Sequence, residues 1–338
     1  MDTIKSALQL LKNKDISFKK LRRSTTSNGV SCVTPKECDH EVTINEKIGS
    51  GAFGTVFKGT YRNEIVAIKR EELSTETKQR EINILKYLDK FPNNYVVRMV
   101  AYNVESKNNV LTSHIIFEYY PYTLTQYLTK IVSHHMLFYL RKIFCHIAHG
   151  LKHIHQHNIC HRDIKGDNIL LKGNGKSTIA VIADFGSAKQ IEENRESTSY
   201  ITTRYYRAPE CILLNPHYNH KIDIWSAGCV FAECILQEPI FKGDDNTDQL
   251  CKIFKIIGFP DTDCLLKLNP ELDTSNDMIL KVKEKEKFRL TKILRKNSHN
   301  LHISTMLESV ITNMLNINPE ERLDASEILK LPYFKYVK

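Results

Sequence analysis

Five short runs of this 338-residue chain combine residue types and spacings suited to handling phosphate. The first is Gly49-Ser50-Gly51-Ala52-Phe53-Gly54-Thr55-Val56, whose three glycines let the backbone approach phosphate oxygens and aim N–H groups at them. The same glycines suit a plain hairpin, or a dinucleotide fingerprint, but the fingerprint needs a helix next and here a strand pattern follows. The second is Val66-Ala67-Ile68-Lys69. A lysine facing inward from a strand is costly without an anion, and nucleotide phosphates would supply one. Glu81, on the apolar face of the next helical pattern, is its natural ion-pair partner. The third is His161-Arg162-Asp163-Ile164-Lys165-Gly166-Asp167-Asn168, where Asp163 suits accepting a hydroxyl proton and Asn168 suits a divalent metal. The fourth is Asp184-Phe185-Gly186, whose aspartate suits magnesium bridging phosphates. The fifth is Ala208-Pro209-Glu210, with Glu210 expected to pair with a buried arginine, Arg322 of PEERLDA. Each run alone also reads as a turn, an exposed charge or a surface loop. The five in this order match what phosphoryl transfer requires.

These residues need elements to position them. From Val42, EVTINEKIG, TVFKGTYR and EIVAIKR are separated by glycine-rich or polar turns and predict an antiparallel meander. TETKQREINILKYLDK has helical period, with Glu81, Leu85 and Leu88 on one face. YVVRMVAYNV and VLTSHIIFEYY predict two further strands, ended by Pro121. Beyond it LTQYLTKIV, FYLRKIFCHIAHGLKHIHQH and IDIWSAGCVFAECIL predict helices. The expected class is α+β: a small β-rich lobe over residues 42–118, a connector over 119–122 and a larger α-helical lobe over 123–338. Residues 1–41 read as a flexible extension, in which Ile4, Leu8 and Leu11 share a possible helical face.

Composition narrows the partners. With 41% hydrophobic residues the chain can bury a sizeable core, and its length suits a two-lobed unit. The formal charge of +9 admits nucleic acid, anionic membrane or phosphorylated partners. Without an arginine-rich arm or a basic stretch interleaved with aromatics, nucleic acid is not expected. No apolar run reaches transmembrane length, the N-terminus is a poor signal peptide, and Asp2 stands where myristoylation needs glycine, so no membrane is expected either. Nine scattered cysteines without a CxxC pair, among them Cys145, Cys229, Cys234 and Cys251 in apolar segments, predict reduced thiols and a cytoplasmic or nuclear protein. His146, His149 and His153 have the i, i+3, i+7 spacing that three zinc ligands on a helix would need, although an amphipathic helix with ordinary histidines explains it more simply.

From about Val42 to Lys338 the chain resembles the protein kinase superfamily. RYYRAPE at Arg204–Glu210, IDIWSAGCV at Ile222–Val230 and PIFKGDDNTDQLCKIFKIIGFP at Pro239–Pro260 are similar to the group of cyclin-dependent, mitogen-activated and glycogen synthase kinases. ICHRDIK, DFGSAKQ and SYITTRYYRAPE look most like the glycogen synthase kinase-3, or shaggy-like, family. The resemblance implies the two-lobed kinase fold, ATP and Mg2+ as cofactors, and transfer of the γ-phosphate to serine or threonine of protein substrates. It makes Asp163 the catalytic aspartate, and gives Lys165 to the γ-phosphate and to serine/threonine specificity. Lys69, paired with Glu81, would hold the α- and β-phosphates, and Asn168 and Asp184 the magnesium. Ile48, Gly49, Ser50, Gly51, Ala52, Phe53, Gly54, Val56 and Ala67 would enclose the nucleotide, with Phe117 as gatekeeper and Glu118 and Tyr120 offering backbone groups to adenine. Thr203 would steady the catalytic loop, and Glu210, Arg322 and Asp223 would be structural. Arg80, Arg162 and Lys189 match three basic residues that bind a phosphate already on the substrate, four residues C-terminal to the target. Tyr200 matches an activation-loop phosphosite, whose phosphate would need Arg204 or Arg207.

The chain departs from that pattern at Gly166 and Asp167, where the family has proline and glutamine, and an extra acid there would shift peptide preference. Residues 262–300, with KVKEKEKFRLTKILRKNS, differ from the family's scaffold-docking region, so scaffold binding is not carried over. Arg22-Arg23-Ser24-Thr25-Thr26-Ser27 loosely resembles the family's inhibitory segment, and also reads as low-complexity basic sequence. Two other readings remain: a proline-directed kinase without the phosphate pocket, and a pseudokinase scaffold, against which Lys69, Asp163 and Asp184 all count.

Overall fold

A computed structural model describes residues 36–37, 42–51, 54–73, 79–107, 110–130, 136–191, 203–272, 290–296 and 304–335. Six strands form the first sheet, in the order β1-β5-β6-β4-β3-β2: β1 (Lys36–Glu37), β2 (Val42–Gly51), β3 (Gly54–Tyr61), β4 (Glu64–Leu73), β5 (Met99–Lys107) and β6 (Val110–Glu118). All pairs are antiparallel except β1 with β5, where Lys36 and Glu37 face Ala101 and Tyr102. The sheet thus recruits two residues from within the expected extension. Tyr61, Val66, Ile68, Ala101 and Ile116 form a small cluster on one face of the sheet. On the other, helix α1 (Gln79–Leu88) buries Ile82, Leu85 and Leu88, and with them Glu81.

The strand expected from Tyr95 begins only at Met99. Tyr95, Val96 and Val97 turn away from the sheet because their backbone bonds are taken elsewhere. The Val97 N–H donates to the Ile182 carbonyl at 2.8 Å, and the Ile182 N–H donates to the Tyr95 carbonyl at 2.9 Å.

After the connector, β7 (Tyr122–Thr123), β9 (Ile169–Lys172) and β10 (Ile179–Ile182) make a three-stranded sheet, and β8 (Ile159–Cys160) pairs with β11 (Lys189–Gln190). The rest is helical: α2 (Leu124–Lys130), α3 (Met136–Gln156), α4 (Pro209–Ile212), α5 (Lys221–Leu236), α6 (Asn246–Ile257), α7 (Thr262–Leu268), α8 (Leu290–Lys296), α9 (Thr305–Met314) and α10 (Ala325–Ile328). Helix α5 is apolar nearly all round and is correspondingly the buried axis of this lobe. Its Phe231 stacks on Phe144 of α3 at 3.7 Å. Of the described cysteines all are free thiols and all but Cys264 are buried. Among the described residues no helix is long and apolar enough to cross a membrane.

Candidate active site

Strand alternation turns Lys69 and Glu71 of β4 to the same side of the sheet, toward α1. Lys69 Nζ lies 2.7 Å from Glu81 Oε2, 2.7 Å from Asp184 Oδ1 and 3.0 Å from Glu71 Oε1. Burial works against this ammonium, but Glu81, Asp184 and Glu71 outweigh it and hold its pKa well above the ordinary lysine value. Burial pushes the Glu81 carboxyl up to about 7, against the attraction of Lys69. Burial also opposes the charge of Asp184, yet Lys69 prevails and lowers its pKa. One ammonium among three carboxylates leaves an excess of negative charge. Asp184 has φ +63 and accepts from the Gly186 N–H, which closes a tight turn that sends Phe185 into the core.

The loop after β8 is built around a buried carboxylate. Asp223 of α5 accepts from the backbone N–H groups of His161 and Arg162, both at 2.8 Å, and its Oδ2 lies 2.9 Å from His155 Nε2. Burial would raise its pKa, but these bonds, first that to His155, hold it below the usual carboxylate range. They also fix Arg162 at φ +68, a conformation that needs support in a non-glycine residue. His161 Nε2 reaches the Ala183 carbonyl at 2.9 Å and so ties the loop to the segment carrying Asp184. Asp163 Oδ2 then accepts from Lys165 Nζ at 2.8 Å and Asn168 Nδ2 at 2.9 Å, and Lys165 Nζ also donates to Thr203 Oγ1 at 3.3 Å. No described residue donates to Asp163 Oδ1. A Cβ on Gly166 would come 2.6 Å from Thr125 Oγ1, so the proline of related sequences fits only if Thr125 turns.

Glu210 and Arg322 meet as expected, with Nη1–Oε1 at 2.6 Å and Nη2–Oε2 at 3.1 Å. At the end of β6 Phe117 is buried and pairs with Ala67 across the sheet, while the Glu118 carboxylate takes Lys172 and the Tyr120 hydroxyl as partners. Ile48, Gly49, Ser50, Gly51, Gly54 and Val56 lie on β2 and β3, and a Cβ on Gly51 would meet nothing within 4 Å. Arg162 Nε donates to the Ser187 carbonyl at 2.6 Å and its Nη1 to the Tyr218 hydroxyl at 3.0 Å. Arg80 is half-buried in the first turn of α1, and Lys189, on β11, pairs with Cys160 next to the catalytic loop. Arg204 Nη1 donates to the Gly243 carbonyl at 3.3 Å and to the Asp244 carbonyl at 2.5 Å, and Arg207 Nη1 to Asn246 Oδ1 at 3.0 Å. Ala52, Phe53, Tyr200, the Arg22–Ser27 segment and most of residues 273–303 lie outside the described residues.

The histidine spacing does not become a metal site: among the described residues no three His, Cys, Asp or Glu side chains converge on one. His146 and His149 instead stack on Tyr95, with centroids 4.7 and 5.3 Å apart. His146 Nδ1 accepts from the Ala180 N–H, and burial, aided by Lys142, lowers its pKa to about 4. Glu71, His155 and Tyr218 were missed as site residues in the sequence. For Glu71 the signal was present, since period-two alternation puts it on the lysine's face.

The arrangement suits magnesium and a nucleotide. Asp184 and Asn168 offer hard oxygen donors, and Mg2+ commonly binds through one or two protein groups with phosphates and waters completing its shell. Asn168 turns its Nδ2 toward Asp163, which leaves its amide oxygen for a cation. Comparison with known proteins agrees. The family model for the protein kinase domain matches residues 42–334. The chain is 34% identical over 304 residues to "Probable serine/threonine-protein kinase glkA" of Dictyostelium discoideum, covering 90% of this chain and 60% of that protein. It is 32% identical to Glycogen synthase kinase 1 of Pyricularia oryzae, covering 95% of this chain and 80% of the relative. It is 33% identical to the serine/threonine-protein kinase RIM11/MSD1 of Saccharomyces cerevisiae, covering 87% and 77%.

Proposed function

The chain belongs to the protein kinase family, in its glycogen synthase kinase branch, and from that premise we propose that it transfers the γ-phosphate of ATP to serine or threonine of protein substrates. The observation that carries this reading is the state of Asp163. Lys165 and Asn168 hold its Oδ2, and Oδ1 is left to a substrate hydroxyl. Asp163 orients that hydroxyl and accepts its proton as the oxygen bonds to the γ-phosphorus and ADP leaves. Lys165 places a positive charge beside the transferring group, and Lys69 does so for the α- and β-phosphates. Asn168 and Asp184 would hold magnesium, which when bound offsets charge on the phosphate oxygens.

Incubation with Mg-ATP and serine/threonine peptide libraries tests the reading. We expect transfer by the wild-type chain and a fall in kcat of roughly 10²- to 10⁴-fold in Asp163→Asn. No transfer to any peptide, or an unchanged rate in that variant, overturns it.

We further propose a substrate preference from the match of Arg80, Arg162 and Lys189 to the family's phosphate-binding residues. Arg162 is fixed by Nε and Nη1, and Nη2 has no acceptor among the described residues. By the resemblance to the glycogen synthase kinase-3 family, these three cations would bind a phosphate already carried by the substrate four residues C-terminal to the target; Arg162 lies in the catalytic loop and Lys189 pairs with Cys160 beside it. One surplus charge-assisted bond gives about tenfold preference for an SxxxpS peptide over its unphosphorylated twin. Equal rates on the two peptides would leave the proline-directed reading.

A further inference from the structure

Glu71 stands out among the groups that this mechanism does not use. It is 5% exposed, and a carboxylate buried so deeply is costly unless it is paired. Among the described residues its ion-pair partner is Lys69, at 3.0 Å. That approach is a charge contact rather than a directed hydrogen bond: among the described residues Glu71 Oε1 has no hydrogen-bond donor. Two further features show that the site is built to admit the side chain. Gly54 lies against it, and a Cβ there would meet Glu71 Cγ at 2.8 Å and the Arg70 carbonyl at 2.3 Å. Ser113, directly across from Glu71 on β6, is small and 1% exposed.

Resting on the kinase reading, we propose that Glu71 is a strand-borne anchor of Lys69 beside Glu81 and Asp184, a positioning residue that keeps the ammonium at the nucleotide site when the Glu81 contact is lost. The two glutamates differ in what carries them. Glu81 is carried by α1, an element separate from the strand of Lys69. Glu71 is two residues from Lys69 on the same strand, so backbone geometry fixes their separation. Asp184, the third carboxylate on the ammonium, is also the residue expected to hold magnesium. With Asp184 so engaged, Glu71 is the anchor that does not depend on the position of α1, and activity depends less steeply on that helix.

A double-mutant cycle tests this, with Glu71→Gln, Glu81→Gln and the double variant assayed for kcat and for KM of ATP. The single variants should each lose a few-fold to tenfold in kcat/KM, and Glu81→Gln should cost about tenfold more in the Glu71→Gln background than alone. The excess should appear in KM for ATP, measured beside calorimetric binding of Mg-ATP, while the thermal midpoints of the single variants stay close. Glu71→Asp, which keeps the charge, should restore tolerance of Glu81→Gln. If the two losses simply multiply, or if Glu71→Asp behaves like Glu71→Gln, Glu71 is no anchor. Should the Gln variants fail to fold, Glu71→Val and Glu71→Asp serve as the apolar and charged arms of the same cycle. A wild-type chain that binds no Mg-ATP would sink the kinase reading itself, a different result from additive losses in an active enzyme.

Discussion

Arg322 and Glu210 form a two-bond ion pair in which the arginine side chain is 0% and the glutamate 2% exposed. The arginine also donates to the carbonyls of Asn316 and Lys221 and lies 5.0 Å from the Trp225 ring. The pair ties the segment after the activation region to the base of the helical lobe, a separation of 112 residues in sequence. Removing one partner strands a buried charge. Glu210→Gln and Arg322→Met should each lose roughly 3–5 kcal/mol in urea unfolding, and the double variant less than the sum. Additive losses would show that the two groups act separately.

Gly150 of α3 faces the crossing of Tyr95 and Ile182. A Cβ there would lie 2.7 Å from the Tyr95 carbonyl oxygen and 2.8 Å from Ile182 Cδ1. Gly150→Ala should cost about 1–3 kcal/mol by overpacking, despite the better helix propensity of alanine. Hydrogen exchange at the Ile182 and Val97 amides should speed up. An unchanged exchange rate would mean that the crossing relaxes freely.

Two buried groups give opposite slopes of stability with pH. Glu81 has its pKa raised from 4.5 to about 7, so the folded chain holds a proton there that the unfolded chain has released. Its contribution to stability is present below pH 4.5 and is lost as pH rises toward 7. His146 has its pKa lowered from 6.5 to about 4, so its contribution is present above 6.5 and is lost as pH falls toward 4. Denaturation between pH 4 and 7 should therefore show Glu81→Gln more acid-sensitive than the wild type and His146→Gln less so. Parallel pH curves for all three chains would contradict both assignments.

Asp223→Asn keeps the size of the side chain but gives it only one acceptor for the His161 and Arg162 N–H groups. The buried loop then loses at least one of two 2.8 Å bonds, and Asp163 loses its fixed position. We expect kcat to drop by roughly tenfold or more with little change in KM for ATP, since the nucleotide-facing Lys69 is untouched. A change confined to KM would mean that Asp223 does not act through the catalytic loop.

Much of this was legible in the sequence because local pattern and contact coincide there. The glycine run, Lys69, Asp163, Asn168 and Asp184 sit in short motifs whose chemistry needs those types at those spacings, and the strands and helices around them follow their periods. Two features were not legible. The segment at Tyr95 has strand composition, and only the distant Ile182 diverts its backbone bonds. The histidines of α3 have ligand spacing, and only the approach of Tyr95 shows that two of them stack on it. Long-range contacts decide both, and neither leaves a mark on the local pattern. Glu71 is a different case, since its place followed from alternation alone.

The crossing at Tyr95 and Ile182 also links the small lobe to the segment that carries Asp184. The far end of α1 runs into a segment whose backbone is bonded to Ile182, two residues before Asp184, and whose tyrosine stacks on α3. The helix bearing Glu81 packs on the sheet of the small lobe and is continued by a segment bonded to the large one, while Lys69 lies on the sheet itself. Lys69 Nζ, 2.7 Å from Glu81 and 2.7 Å from Asp184, is therefore the atom at which the two lobes share one charge.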